Sequence, residues 1–136
     1  MTTTRMPLLA LAILACVGTS PRAQEPVARS NSLEADASLY GQSVALPRQA
    51  AVCGEHLPGY AQRFQPAFEA WRADNAQRIA AGSKFVHDSA ARGGVDADAG
   101  VAKLGDEDAQ RLRKTTPELL ERHCRLLLES LAPQPN

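Results

Sequence analysis

Aromatic residues are scarce in this chain: one Trp, two Tyr and three Phe in 136 residues. β-branched residues are also few, while Ala and Arg are abundant, a balance that favours helix over sheet. Neither sign of charge dominates. With 15 basic and 15 acidic side chains, the chain has no nucleic-acid footprint and no polybasic membrane patch. No apolar run reaches the roughly 20 residues a bilayer span requires. Catalytic signatures are lacking as well: there is no Cys-x-x-Cys-His, no Gly-x-Ser-x-Gly, no phosphate-binding glycine loop and no His-Glu-x-x-His. An enzyme would have to assemble its site from Glu69, Asp74, His56 or His87 without any such signature. The expectation is therefore a non-catalytic protein with no cofactor.

What is present begins with an export signal. Arg5 supplies a positive stub, and Met6 to Val17 form an apolar run of signal-peptide length, so residues 1–23 read as a targeting segment. Ile13-Leu14-Ala15-Cys16 resembles the lipobox of bacterial lipoproteins, in which the cysteine is lipidated and becomes the new N-terminus. That resemblance implies Cys16 as a lipidation candidate and attachment to a membrane through lipid alone. Ordinary cleavage after Gly18 is the alternative, and both remain open. Either way Cys16 leaves the folding problem. Two of the three cysteines then remain, Cys53 and Cys124. In an oxidising compartment they make one natural pair.

The rest divides into a tether and a domain. Residues 24–45 show no sustained period, and Gly41 and Pro47 punctuate their end, so this stretch reads as a flexible tether. Residues 46–132 carry helical stripes, and 133–136 form a tail. Leu46, Ala50, Cys53, Leu57, Tyr60, Phe64, Phe68, Trp71, Asn75, Ile79 and Gly82 recur at three or four residues. Pro58-Gly59 breaks the stripe, giving helices over about 47–57 and 60–91, the second kinked or begun at Pro66. Gly93-Gly94 ends the long helix, and 90–105 reads as a flexible acidic connector. Asp106 is a candidate cap for the last helix, and Thr116-Pro117-Glu118 is a stronger start signal. Leu120, Cys124, Leu127 and Leu131 form its apolar face. The fold class expected is all-α: a small antiparallel bundle of about three helices, one kinked, closed by a Cys53–Cys124 disulfide. With roughly 90 residues left for the core, such a staple matters.

Three constellations invite a sharper reading. Cys53-x-x-His56 with His123-Cys124 is a formal zinc set, but adjacent helical residues point about 100° apart, and export favours oxidation over thiolate ligation. Asp96-x-Asp98-x-Gly100 with Glu107 is similar to a calcium loop, yet Gly100 replaces a ligand and Val101 stands where glycine is needed. A solvated acidic linker describes it better, and no metal site is expected. Tyr60, Phe64, Phe68 and Trp71 form an aromatic strip that the interior needs for filling, which makes Trp71 structural. Should part of the strip be exposed instead, Trp71 with Arg63 and Arg72 is the candidate binding surface.

Function is then expected by class. The leading expectation is an exported protein, periplasmic or attached to the outer membrane, that binds a partner protein in the manner of an inhibitor, immunity or accessory protein. A small-ligand or metal carrier is the alternative, and an enzyme stands last.

Overall fold

The computed structural model describes residues 25–133, with side chains from residue 32. Cys16 and the whole targeting segment lie outside the described residues. Among the described residues there are five helices and no strand: α1 (Glu25–His56), α2 (Tyr60–Asp74), α3 (Ala76–Gly93), α4 (Ala97–Arg113) and α5 (Pro117–Ser130). The all-α class and the Cys53–Cys124 disulfide stand, and the count of three helices is corrected to five. None of these helices is long and apolar enough to cross a membrane.

The first helix is longer than expected, and the two extra helices come from the acidic connector and from a division of the long helix. The stretch expected to be a tether is helical from Glu25 and belongs to α1. Leu33, Ala37, Tyr40 and Val44 succeed one another by four, three and four, and all are half-buried, so this half of α1 packs like the other. Pro47 lies inside the helix with an exposed side chain; its missing N–H leaves the Ser43 carbonyl without an intrahelical donor. The acidic connector is likewise helical. Asp96, rather than Asp106, caps α4 by accepting the Ala99 amide at 3.0 Å, and Asp106 reaches Arg48 on α1 at 2.7 Å.

The expected long helix divides at Asn75. The Asn75 side chain folds back to donate to the Trp71 carbonyl at 2.8 Å, and its backbone amide donates to the same oxygen. That closes α2, and α3 starts afresh at Ala76. Gly59 at φ 74° makes the turn after Pro58, and Gly94 at φ 66° ends α3, both conformations that suit glycine. Thr116 caps α5 with Pro117 in its first turn, in line with the sequence signal.

Helix α1 is the hub. Tyr40 with Asp98, Arg48 with Asp106 and Glu55 with Arg113 are each 58 residues apart, so α1 and α4 run side by side in the same direction. Helices α2 and α3 return along α1 the other way, with Gly82 set directly against the Asp36 backbone. The core gathers Val52 and Cys53 of α1, Tyr60, Phe64 and Phe68 of α2, Leu112 of α4, and Leu120, Cys124 and Leu127 of α5. Cys53 and Cys124 are wholly buried with Cα atoms 5.7 Å apart.

Candidate functional site

The aromatic strip resolves into a stacked ladder along α2. Ring centroids step from Tyr60 to Phe64 to Phe68 to Trp71 at 6.2, 5.2 and 5.9 Å, all within 16° of parallel. The first three rings are buried, and Trp71 is partly buried against the same cluster. Arg63 and Arg72 do not share a surface with each other. Nine residues apart on a helix, they stand on opposite sides of α2. The Arg63 guanidinium lies 5.9 Å from the Tyr60 ring centroid, beside a small groove shared with α5, and that of Arg72 lies 5.9 Å from the Phe68 ring centroid. Neither has a carboxylate partner among the described residues, unlike Arg48, Arg78 and Arg113.

Arg72 sits at the edge of the more prominent feature, an open groove of about 700 Å³ between α1, α2 and α3. Its floor is Val44, Ile79 and a run of small residues, Ala73, Ala76, Ala80 and Ser83, spaced by three, four and three along one face. Tyr40 and Ser43 wall one side. Glu69 and Arg72 stand at the other end, where Glu69 already accepts a hydrogen bond from Gln65 at 2.7 Å. Trp71 is not among the groove's lining residues.

A polar cluster adjoins the groove and was not read from the sequence. Asp98 Oδ1 accepts the Tyr40 hydroxyl at 2.8 Å and lies 3.1 Å from His87 Nε2. His87 Nδ1 sits 2.7 Å from the carbonyl oxygen of Ser83, one turn back on α3. Ser83, His87 and Asp98 have the composition of a nucleophile, base and acid, but not the geometry. A carbonyl can only accept, so Nδ1 carries a proton directed at it. The Ser83 hydroxyl, 3.4 Å from that nitrogen, finds no base there. Both ring nitrogens face acceptors, which holds the His87 pKa above its ordinary value, first through the Ser83 carbonyl and then through Asp98. The Asp98 carboxyl is held below the usual range by Tyr40 and His87, and burial and then Asp98 push the Tyr40 phenol up.

The remaining candidates fall apart. Both sulfurs of the formal zinc set are joined to each other, His56 is exposed, and His123 is 3.0 Å from Gln49. The calcium-loop residues lie on α4 and its N-cap Asp96, a straight run that cannot wrap an ion. No group of three or more metal-ligating side chains occurs among the described residues. Glu69 and Arg72 of the groove were within reach of the sequence through the α2 stripe. Tyr40 was reachable through the four-three-four spacing, but its meeting with Asp98 depends on a 58-residue offset that no local pattern carries. The chain matches no family model, and no curated protein or solved structure matches it.

Proposed function

We propose that this chain is a non-catalytic exported protein that works by binding a partner protein, and that the groove between α1, α2 and α3 receives a helix of that partner. The observation that carries the reading is Arg72: an exposed guanidinium without a carboxylate partner among the described residues, at the edge of a trough floored by small side chains. Helices pack by setting ridges into grooves, and residues spaced three and four apart give a floor shallow enough for a close approach. The complementary partner segment is amphipathic, with small apolar side chains inward and an acidic residue opposite Arg72. Export is supported by the buried disulfide, a bond that persists in oxidising compartments. Attachment through lipid on Cys16 stays part of the proposal as the alternative to a freely soluble mature chain. A small-ligand carrier is the second reading, favoured by a groove volume inside the range of ligand pockets.

A photo-crosslinking residue placed at Ala80, and at Gln110 in a separate groove on α4 as control, tests the proposal in envelope fractions. The expected outcome is a protein adduct from Ala80 and none from Gln110. The purified adduct partner then binds wild type at least about tenfold more tightly than it binds Arg72→Glu, a difference of about 1.4 kcal/mol. Because Arg72 is exposed, that variant keeps its helix content. Equal affinity for the two proteins overturns the reading, as does a crosslink from Gln110 alone. A low-mass compound retained in native mass spectra and lost in Arg72→Glu decides for the carrier instead.

A further inference from the structure

The cluster beside the groove joins three helices through one carboxylate oxygen, Asp98 Oδ1. His87 belongs to α3, Asp98 to the first turn of α4, and Tyr40 to α1, with the Tyr40 and His87 rings 6.0 Å apart. Apart from His87 and Asp98, no side-chain bond between α3 and α4 is recorded among the described residues. Each nitrogen of His87 meets an acceptor, the Ser83 carbonyl at 2.7 Å and the Asp98 carboxylate at 3.1 Å. A neutral imidazole has one N–H and one lone pair. Whichever nitrogen gives up its proton, a lone pair then faces an oxygen lone pair, and one of the two bonds turns repulsive. The closed arrangement therefore belongs to the doubly protonated ring.

We infer that His87, Asp98 and Tyr40 form a pH-dependent latch, closed when His87 is an imidazolium, that ties the start of α4 to α3 and so holds one end of the groove. The consequence for binding rests on the groove being the docking site; the latch itself does not. Tyr40 and Ser83 belong to both structures, so loss of the His87–Asp98 bond leaves Asp98 held to that wall by the Tyr40 hydroxyl alone and loosens it. The surrounding charges favour the closed state. Asp96 and Asp98 face the ring from α4, Asp88 adds negative charge from α3, and Lys84 is committed to Asp88 at 2.6 Å; from α1 the facing group is the neutral Tyr40 phenol. The sign follows from the raised His87 pKa. Stabilisation by the latch is complete below the ordinary histidine value of about 6.5 and is lost as pH rises through the higher folded value. For an exported chain, the latch reads the pH of the surroundings.

The test needs no partner. Imidazole resonances followed by NMR, with amide exchange in residues 97–101 corrected for intrinsic rate, are compared between pH 5.5 and 8.0 in the intact mature protein. In wild type, protection of the first turn of α4 is expected to fall about two- to fivefold at the higher pH, the range an exposed ion pair supports. Asp98→Asn is expected to lower the His87 titration and to remove the pH dependence of protection, and His87→Gln to remove it without changing helix content. Unaltered His87 titration in Asp98→Asn overturns the latch. So does protection in wild type that is the same at both pH values. Neither readout involves binding, so a failed crosslink at Ala80 leaves the latch standing, and a failed latch leaves the groove.

Discussion

Tyr60 carries more than its share of the core. It is the first residue of α2, is 1% exposed, and sends its hydroxyl 3.0 Å to the carbonyl of Cys124 on α5. Burial pushes its ionisation up to about 12, against a smaller opposing pull from Arg63. The phenol therefore stays a neutral donor across the physiological range, and the ring starts the stacked ladder. Tyr60→Phe keeps the ladder and deletes the donor. Its expected cost is about 1 kcal/mol in urea denaturation, the net worth of one intramolecular hydrogen bond. Tyr60→Ala removes the ring too and should cost about 3–5 kcal/mol. A Phe variant as unstable as the Ala variant would place the stabilisation in the hydroxyl and not in the packing.

At the scale of helices, the sequence showed those interfaces that large side chains fill. The stripe through Cys53, Tyr60, Phe64 and Phe68, with Leu46 packed against it, and the one through Leu120, Cys124, Leu127 and Leu131 make most of the core as observed. Helix α4 and the first half of α1 were hidden for a physical reason. The face of α4 is Ala97, Val101, Gly105, Ala109 and Leu112, spaced by four, four, four and three, and small residues scarcely register as an apolar stripe. They serve close backbone approach instead. A Cβ on Gly105 would lie 3.0 Å from Arg48 Cδ and 3.3 Å from Ala45 Cα. Helix α1 has neighbours around it, so no one face of it is uniformly apolar. The groove was legible in part for the same reason: Glu69 and Arg72 sit beside the aromatic stripe, whereas its alanine floor looks like unremarkable helix. Gly82 tests this account. A Cβ there would stand 1.9 Å from the Asp36 carbonyl oxygen, a backbone atom that moves only if α1 and α3 part. Gly82→Ala should destabilise by about 1–3 kcal/mol despite a gain of up to about 1 kcal/mol in helix propensity. Gly100→Ala, in the interior of α4 with nothing within 4 Å, should stabilise by up to that propensity gain. Thermal denaturation of the two variants reads the difference, and a stable Gly82→Ala would mean the helices have room to separate.

For the whole molecule, the question is what keeps α5 on the bundle. It reaches α1 through the Cys53–Cys124 bond and through His123, 3.0 Å from Gln49, and reaches α2 through the Tyr60 hydroxyl. Its buried face is narrow, four side chains from Leu120 to Leu131. The disulfide closes a loop with a sequence separation of 71 residues, which in the chain-entropy model stabilises the fold by about 4 kcal/mol. Domains of this size are typically stable by about 5–15 kcal/mol in total, so the bridge is a large share. Its effect is exerted mainly on the unfolded chain, where it holds α1 and α5 within reach of each other. A double variant, Cys53→Ala with Cys124→Ala, also avoids leaving a free thiol. The expected result is a protein that keeps its helical circular dichroism at low temperature but melts lower by on the order of 20 °C. Loss of protection should come first in α5, because beside its narrow apolar face the remaining side-chain hydrogen bonds to other helices, among the described residues, are one from Tyr60 to the backbone carbonyl of Cys124 and one between His123 and Gln49. Hydrogen exchange resolved by helix distinguishes this from uniform weakening. Equal loss across all five helices would show that α5 folds as one unit with the rest, and that the bridge fastens a core already closed without it.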